Sequence, residues 1–437
     1  MIDIRFIREN LEEVKRGVAA KGFKVDFGKI ISLDEERRKL QKEVDEGRAL
    51  KNKASEQIPK VSKDEKAKII AEMKALDTKQ QSSEEKLKQI VDQLNVLVGN
   101  VPNIASTDVK IGKNETENEI LREVGKKTSF TFKVKDYLEL TKTSGSIDIE
   151  RAAKVSGSRF GYLKGKVALL ELALINLVMG ILTDEKRIAK VIKKIGKAKE
   201  LKTSAFVPVI PPVMIRPEMM IKSGHMMPGE EVERYFLKDD ELLLVGTSEQ
   251  SIVPMHTDEV LPLKSGPIRY VGFSTCFRRG AGSYGKDTKG ILRVHQFDKI
   301  EMVSFVTKET SAAEHELLLA LEEEIMQELN LPYRVIKMCT GDLGASAAKK
   351  YDLEAWMPGQ NQYRETHSTS NCTDYQTHKL NIKYQTSTGK NDYAHSLNGT
   401  AAAIGRMLIA ILENNQKKDG SVVLPKKLQK YTGFSKI

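Results

Sequence analysis

Two apolar stripes with heptad spacing in the first hundred residues constrain this chain most. Ile30, Leu33, Arg37, Leu40 and Val44 step by three and four, and Ile69, Met73, Leu76, Gln80, Ser83, Leu87, Ile90, Leu94 and Leu97 do the same further on. Such steps keep side chains on one face of a helix, so each run predicts a helical arm with a narrow contact seam. Between the runs, Pro59 and the clustered lysines of "EQIPKVSKDEK" predict a turn, giving an antiparallel hairpin. Pro102, in "NVPN", lacks an amide donor and restricts the residue before it, so the second arm should stop there. The expected division is a hairpin domain over residues 1–103 and a second domain over 104–437.

Polar Arg37, Gln80 and Ser83 weaken the seam as a tight dimer zipper. Two uses stay open at this point: an oligomerisation coiled coil, or a projecting arm whose lysines lie along a phosphate backbone. Charge does not choose between them, because 30% charged residues and a net charge of +11 suit a polyanionic partner and a merely basic protein alike. Cys276, Cys339 and Cys372 show no C-x-x-C spacing, which speaks against a structural zinc site or a disulfide framework. The start "MIDIRFIREN" lacks an apolar core of signal-peptide length, and no uninterrupted apolar run reaches about 18 residues. A cytoplasmic protein without a membrane partner is expected.

Beyond Asn103 the pattern turns mixed. Ala168 to Leu182 is an apolar helix, and Asp184 to Lys202, with eight cations against three acids, reads as a solvated helix face. In "SAFVPVIPPVMI" β-branched residues alternate with prolines, which places the segment at a sheet edge or an interface. "LLLVGTSEQ", "IRYVGFSTCFR", "ILRVHQFDKIEMVSFV", "LPYRVIKM" and "YDLEAWMP" read as successive strands, interrupted by an amphipathic helix from Ser311 to Leu329. The expected fold is α+β: an antiparallel sheet with flanking helices, plus the N-terminal hairpin.

Chemistry concentrates in "CFRRGAGSYGKDTKGILRVHQFDKIE", from Cys276 to Glu301. Gly280, Gly282, Gly285 and Gly290 free the backbone, while Arg278, Arg279, Lys286, Lys289 and Arg293 supply cations, as a strand-loop-strand clamp on phosphates requires. It is no P-loop, since G-x-x-x-x-G-K-[ST] is absent. Strand alternation would point Arg293, His295, Phe297, Lys299 and Glu301 into one cleft.

These residues carry a resemblance. The stretch from Phe277 to Glu301 resembles motif 2 of class II aminoacyl-tRNA synthetases in the form found in seryl-tRNA synthetases. "NGTAAAIGRMLIAILENNQ" from Asn398 resembles motif 3, "GTSEQ" at Gly246 the amino-acid-binding T-x-E segment, and "FVPVIPP" the dimer-interface strand of motif 1. "YDLEAWMPGQNQYRETHSTSNCTDYQ" and "RAAKVSGSRF" also match, so the resemblance runs through nearly the whole chain in order.

The resemblance implies a serine-tRNA ligase, a homodimer that uses ATP and Mg2+ to make seryl adenylate from L-serine. The acyl group then passes to tRNA(Ser), and the hairpin is the tRNA-binding arm; tRNA(Sec) is a further candidate acceptor. Arg278, Arg293, Glu301 and Arg406 would carry catalysis. ATP would meet Arg278, Arg279, Gly280, Phe297, Glu365, Thr366, His367, Ser368 and Arg406, with Phe297 stacked on adenine and Glu365 and Ser368 holding the metal. Serine would meet Thr247, Ser248, Glu249, Arg278, Glu301, Asn398 and Thr400.

Three positions depart from the family pattern. Gly280 stands where a glutamate usually contacts ATP, and His367 and Thr400 stand where serine is common. Restoring glutamate at 280 is expected to raise ATP affinity. Gly280 also motivates a second reading, a weakened paralogue that dimerises and binds RNA, and a third is a coiled-coil structural protein that binds RNA.

Overall fold

The computed structural model describes residues 1–60, 62–226, 234–280 and 290–437, which form two compact units, Met1–Pro102 and Asn103–Ile437. In the first, helices α1 (Ile4–Glu9) and α2 (Leu11–Ala20) precede two long helices, α3 (Phe27–Gln57) and α4 (Lys63–Gly99). Asp26 caps α3 by accepting from the Lys29 amide, and Ser62 with Glu65 forms a reciprocal capping box on α4. Pro59 sits in the short 3-10 turn Ile58–Lys60 between them.

The predicted seam faces inward in both arms, with Ile30, Val44, Gln80, Ile90 and Leu94 buried and the other seam residues half-buried. Gln80 is tolerated there because Gly47 lies opposite: a Cβ on Gly47 would sit 3.2 Å from Gln80 Oε1. Asp34, absent from the predicted seam, is buried as well. Its carboxylate meets Arg8 and Arg37 at 2.7 Å each and Arg38 at 3.3 Å, so it ties α1 to α3.

The second unit is built on eight strands: β1 (Glu119–Val124), β2 (Val207–Val209), β3 (Ile268–Phe277), β4 (Gln296–Val306), β5 (Tyr333–Lys337), β6 (Lys349–Met357), β7 (Gln362–Asn371) and β8 (His395–Ala403). They run in the order β1-β5-β6-β7-β8-β4-β3-β2, antiparallel throughout except for the parallel pair β2 and β3. Helix α5 (Lys166–Leu182), α6 (Glu185–Lys194), the short α7 (Glu249–Ile252), α8 (Ser311–Glu328) and α9 (Ile404–Asn414) complete the frame. Leu317, Leu318, Leu321 and Ile325 of α8 pack with Met302, Val335 and Leu353 of the sheet in one core. Fully buried Arg269 pins β3 to α8 through Glu314, at 2.7 Å.

"FVPVIPP" does lie at the sheet edge, as β2. The charge run is amphipathic: Ile188, Val191 and Ile192 of α6 are buried, while Arg187 and Lys194 reach Glu328 and Gln327 on α8. Two strand expectations need correcting. The strand expected from Ile291 begins only at Gln296, because the Ile291 and His295 amides are taken by the Tyr137 hydroxyl and the Arg159 carbonyl. In "LLLVGTSEQ" the strand is confined to Leu242–Leu244, and Glu249 opens α7. Among the described residues no single helix is long and apolar enough to cross a membrane; α5 and α6 pass only as a pair bent by 69°.

Candidate active site

Two cavities open side by side on the sheet, of about 320 and 440 Å³, and Arg278, Lys299, Glu365 and Thr400 border both. Irregularities in strand pairing create this shared wall. Leu353 pairs with His367 and Glu354 with Glu365, so Thr366 is an extra residue in β7. Such a bulge breaks the alternation of faces and puts Glu365 and Ser368 together on the cavity side. A second shift, between β4 and β8, sets Thr400 opposite Glu301.

The first cavity gathers Arg278, Arg279, Gly280, Arg293, Phe297, Glu365, Thr366 and Arg406. Arg278 follows β3, with its guanidinium 5.3 Å from the Phe297 ring and 3.2 Å from the Gly246 carbonyl. Arg406, in the first turn of α9, donates to the Glu365 carbonyl at 2.9 Å and meets its carboxylate at 3.1 Å. The Glu365 side chain keeps 45% of its exposure, and Arg406, Lys350 and Arg278 together outweigh the packing around it and hold its carboxyl down at about 2. The cavity therefore offers guanidinium groups beside an aromatic face and one ionised carboxylate. Its loop residues Gly282, Gly285, Lys286 and Lys289 lie outside the described residues.

The second cavity is lined by Thr247, Glu249, Glu301, Ser368, Asn398 and Thr400. Glu301 is buried, ion-paired with Lys299 at 2.5 Å, and accepts from the Thr400 hydroxyl at 3.2 Å. Burial, reinforced by the nearby Glu249 charge, raises its carboxyl despite Lys299. Burial would raise Glu249 too, but the facing His225 and the Gln376 amide more than reverse this and bring it below its ordinary value. Donors converge on Glu249 Oε1: Asn398 Nδ2 at 2.8 Å, Gln376 Nε2 at 2.9 Å and His225 Nε2 at 3.1 Å. Behind the sheet Glu322 is fully buried, and desolvation with nearby carboxylates pushes it well above the usual range.

Two expected site residues are not brought to the cavities. His367 is turned into the core by the bulge at Thr366; it is fully buried, its Nδ1 2.9 Å from the Thr366 hydroxyl, and burial pulls its ring down to about 4. Ser248 is the buried cap residue just before α7, its hydroxyl 3.5 Å from the Gly272 carbonyl. Conversely, Lys299, Lys350, His225 and Arg159 line the cavities without having been singled out as site residues. Strand alternation had put Lys299 on the correct face, whereas no spacing in the sequence pointed to His225. Arg159 holds a left-handed backbone, φ 60°, while its Nη1 donates to the Gly280 carbonyl at 3.3 Å.

The geometry has clear relatives. Residues 1–105 match the seryl-tRNA synthetase N-terminal domain, and residues 233–415 match the tRNA synthetase class II core domain (G, H, P, S and T). The chain is 41% identical to a serine--tRNA ligase of Dictyoglomus turgidum, covering 100% of this chain and 99% of that one. Among solved structures, seryl-tRNA synthetase from Pyrococcus horikoshii, complexed with ATP, aligns at 38% identity with a TM-score of 0.85, covering 100% and 99%. The cytoplasmic serine-tRNA ligase of Naegleria fowleri, in complex with AMP, aligns at 30% identity and 0.82, covering 100% and 98%. With relatives of this identity spanning the whole length and both units matched in order, the chain belongs to the seryl-tRNA synthetase family.

Proposed function

We propose that the protein is a serine-tRNA ligase that activates L-serine with ATP and transfers it to tRNA(Ser), with tRNA(Sec) a further acceptor. The observation that carries this reading is the pair of adjoining cavities with Arg278, Lys299, Glu365 and Thr400 in their common wall. In the first, Phe297 takes the adenine face, and Arg278, Arg279, Arg293 and Arg406 face the phosphates, with the Gly280 backbone beside them. A guanidinium suits this task because its planar fork bonds two oxygens and always stays charged. In the second cavity, Glu249 accepts the serine ammonium, Thr247 and Asn398 flank it, and Glu301 with Thr400 takes the hydroxyl. A site built to bond a hydroxyl leaves buried polar groups unpaired when alanine binds, which favours serine.

The serine carboxylate, already ionised, attacks the α-phosphorus in line and pyrophosphate leaves; no general base is needed. Charge gathering on the phosphate oxygens is met by preorganised Arg278. Glu365 and Ser368 offer two oxygens on one face of β7, which fits Mg2+, a cation that takes few protein ligands and completes its shell from phosphate and water. When bound, the ion would neutralise charge on the nucleotide.

The remaining parts of the reading follow the family. The hairpin over 1–103 is the tRNA arm, residues 104–437 catalyse, β2 faces a second copy in a homodimer, and the enzyme works in the cytoplasm. Serine-dependent exchange of pyrophosphate into ATP tests the activity: exchange well above background is expected, and its absence would instead favour the weakened paralogue that Gly280 suggests. Glu301→Ala should abolish the exchange and leave the oligomeric state unchanged; near-normal exchange would remove the serine pocket drawn here.

A further inference from the structure

His225 faces the carboxylate proposed to receive the serine ammonium, and its hydrogen bonds define a proton-dependent contact. The Ser223 hydroxyl stands 3.1 Å from the Met220 carbonyl and 2.9 Å from His225 Nδ1, and its single proton can serve only one of them at a time. On its other side Nε2 stands 3.1 Å from Glu249 Oε1, an oxygen that must also accept. When the hydroxyl proton serves Met220, both ring nitrogens must donate and the ring is the charged form. Losing that charge does not break the contact with Glu249. Rotation of the Ser223 hydroxyl toward Nδ1 lets the neutral ring keep its Nε2 proton on Glu249, at the expense of the bond to Met220.

Resting on the proposed serine site, we propose that His225 is a positioning residue for the substrate amine whose charge sets serine affinity. In either state it helps Gln376 and Asn398 fix Oε1 of Glu249. In the charged state it also places a cation next to the pocket for the substrate ammonium, which weakens serine binding.

Among the described residues, the other charged groups near the ring are partnered or face it from across the cavity. On its own segment, Glu218 and Lys222 pair with each other, and Arg234 donates to the His225 carbonyl at 2.8 Å. Tyr375 packs on Gly224, and its hydroxyl stays protonated, pushed up by burial. Across the cavity lie Arg278, Lys299, Lys350, Glu301 and Glu365. Of these, Glu301 is raised by burial, and a substitution at 225 leaves its surroundings of Lys299 and Thr400 in place.

The test measures KM for serine and KM for ATP by pyrophosphate exchange from pH about 6 to about 8, the range in which imidazoles change charge, in the wild type and in His225→Gln. The wild-type KM for serine should fall on the order of tenfold as pH rises, the size expected of like charges a few ångströms apart in a partly screened site. His225→Gln, a donor without charge, should flatten that profile at the low-KM end with kcat and KM for ATP little changed. The same serine profile in both proteins would overturn the proposal, as would a change in kcat alone. KM is read from the folded fraction, and His225→Asn gives a second neutral side chain should glutamine disturb folding. Wild type without serine-dependent exchange would instead bring down the underlying serine-site reading, a distinguishable failure.

Discussion

Gly280 shows how one torsion angle revises an expectation. A glutamate there was expected to add a contact to ATP, but Gly280 has φ +65°, a left-handed backbone that costs a residue with a Cβ about 1–2 kcal/mol. Its carbonyl is also held by Arg159, so the main chain cannot relax freely. Gly280→Glu should therefore leave ATP affinity unchanged or lower it by up to about tenfold, as read by KM for ATP in the exchange assay; a higher affinity would show that the loop reorganises. At this scale the sequence told much. Arg278, Phe297, Glu301, Glu365 and Arg406 all line the two cavities, because motif spacing fixes which strand end each occupies. His367 and Ser248 were misplaced because a bulge and a helix start reverse the face a side chain takes, and neither has a local signature at those positions.

Among the elements, the hairpin was the most legible, since three-four spacing and a proline between the arms leave little alternative. What spacing could not reveal was Asp34, a buried charge outside the predicted seam. Burial alone would raise its carboxyl, yet Arg37 and Arg8 more than reverse this. Its folded-state value thus lies below the unfolded one near 3.9, so its contribution is complete above that pH and is lost as pH falls through the folded value. Asp34→Ala leaves three arginines facing a partly buried gap and should cost about 2–3 kcal/mol of local stability. Hydrogen exchange should report this as faster amides in α1 and the first half of α3, with β4 and β8 unchanged. Equal protection in both proteins would mean that the arginines find other partners.

For the molecule as a whole, two units with separate interiors imply two separable tasks. Deleting Ile30 to Leu97 should spare adenylate formation and impair aminoacylation. The basic balance of the chain adds a salt signature: the KM for tRNA should rise steeply with ionic strength while serine-dependent exchange changes little. Parallel losses in both activities would mean that the arm supports the catalytic unit directly. Fold class was readable because strand and helix periods alternate so distinctly after Asn103. Sheet order was not, since pairing partners such as β8 and β4 lie far apart in the chain.

One margin of the sheet carries a further consequence. The outermost strand, β2, contains Pro208, which brings no N–H to the ladder, and Pro211 and Pro212 follow directly. Val207 and Ile210 beside it are 55% and 86% exposed. For the homodimer proposed above, such a rim would offer oily contact yet deny regular backbone pairing, which favours closure on a small, countable number of copies over extension into fibres.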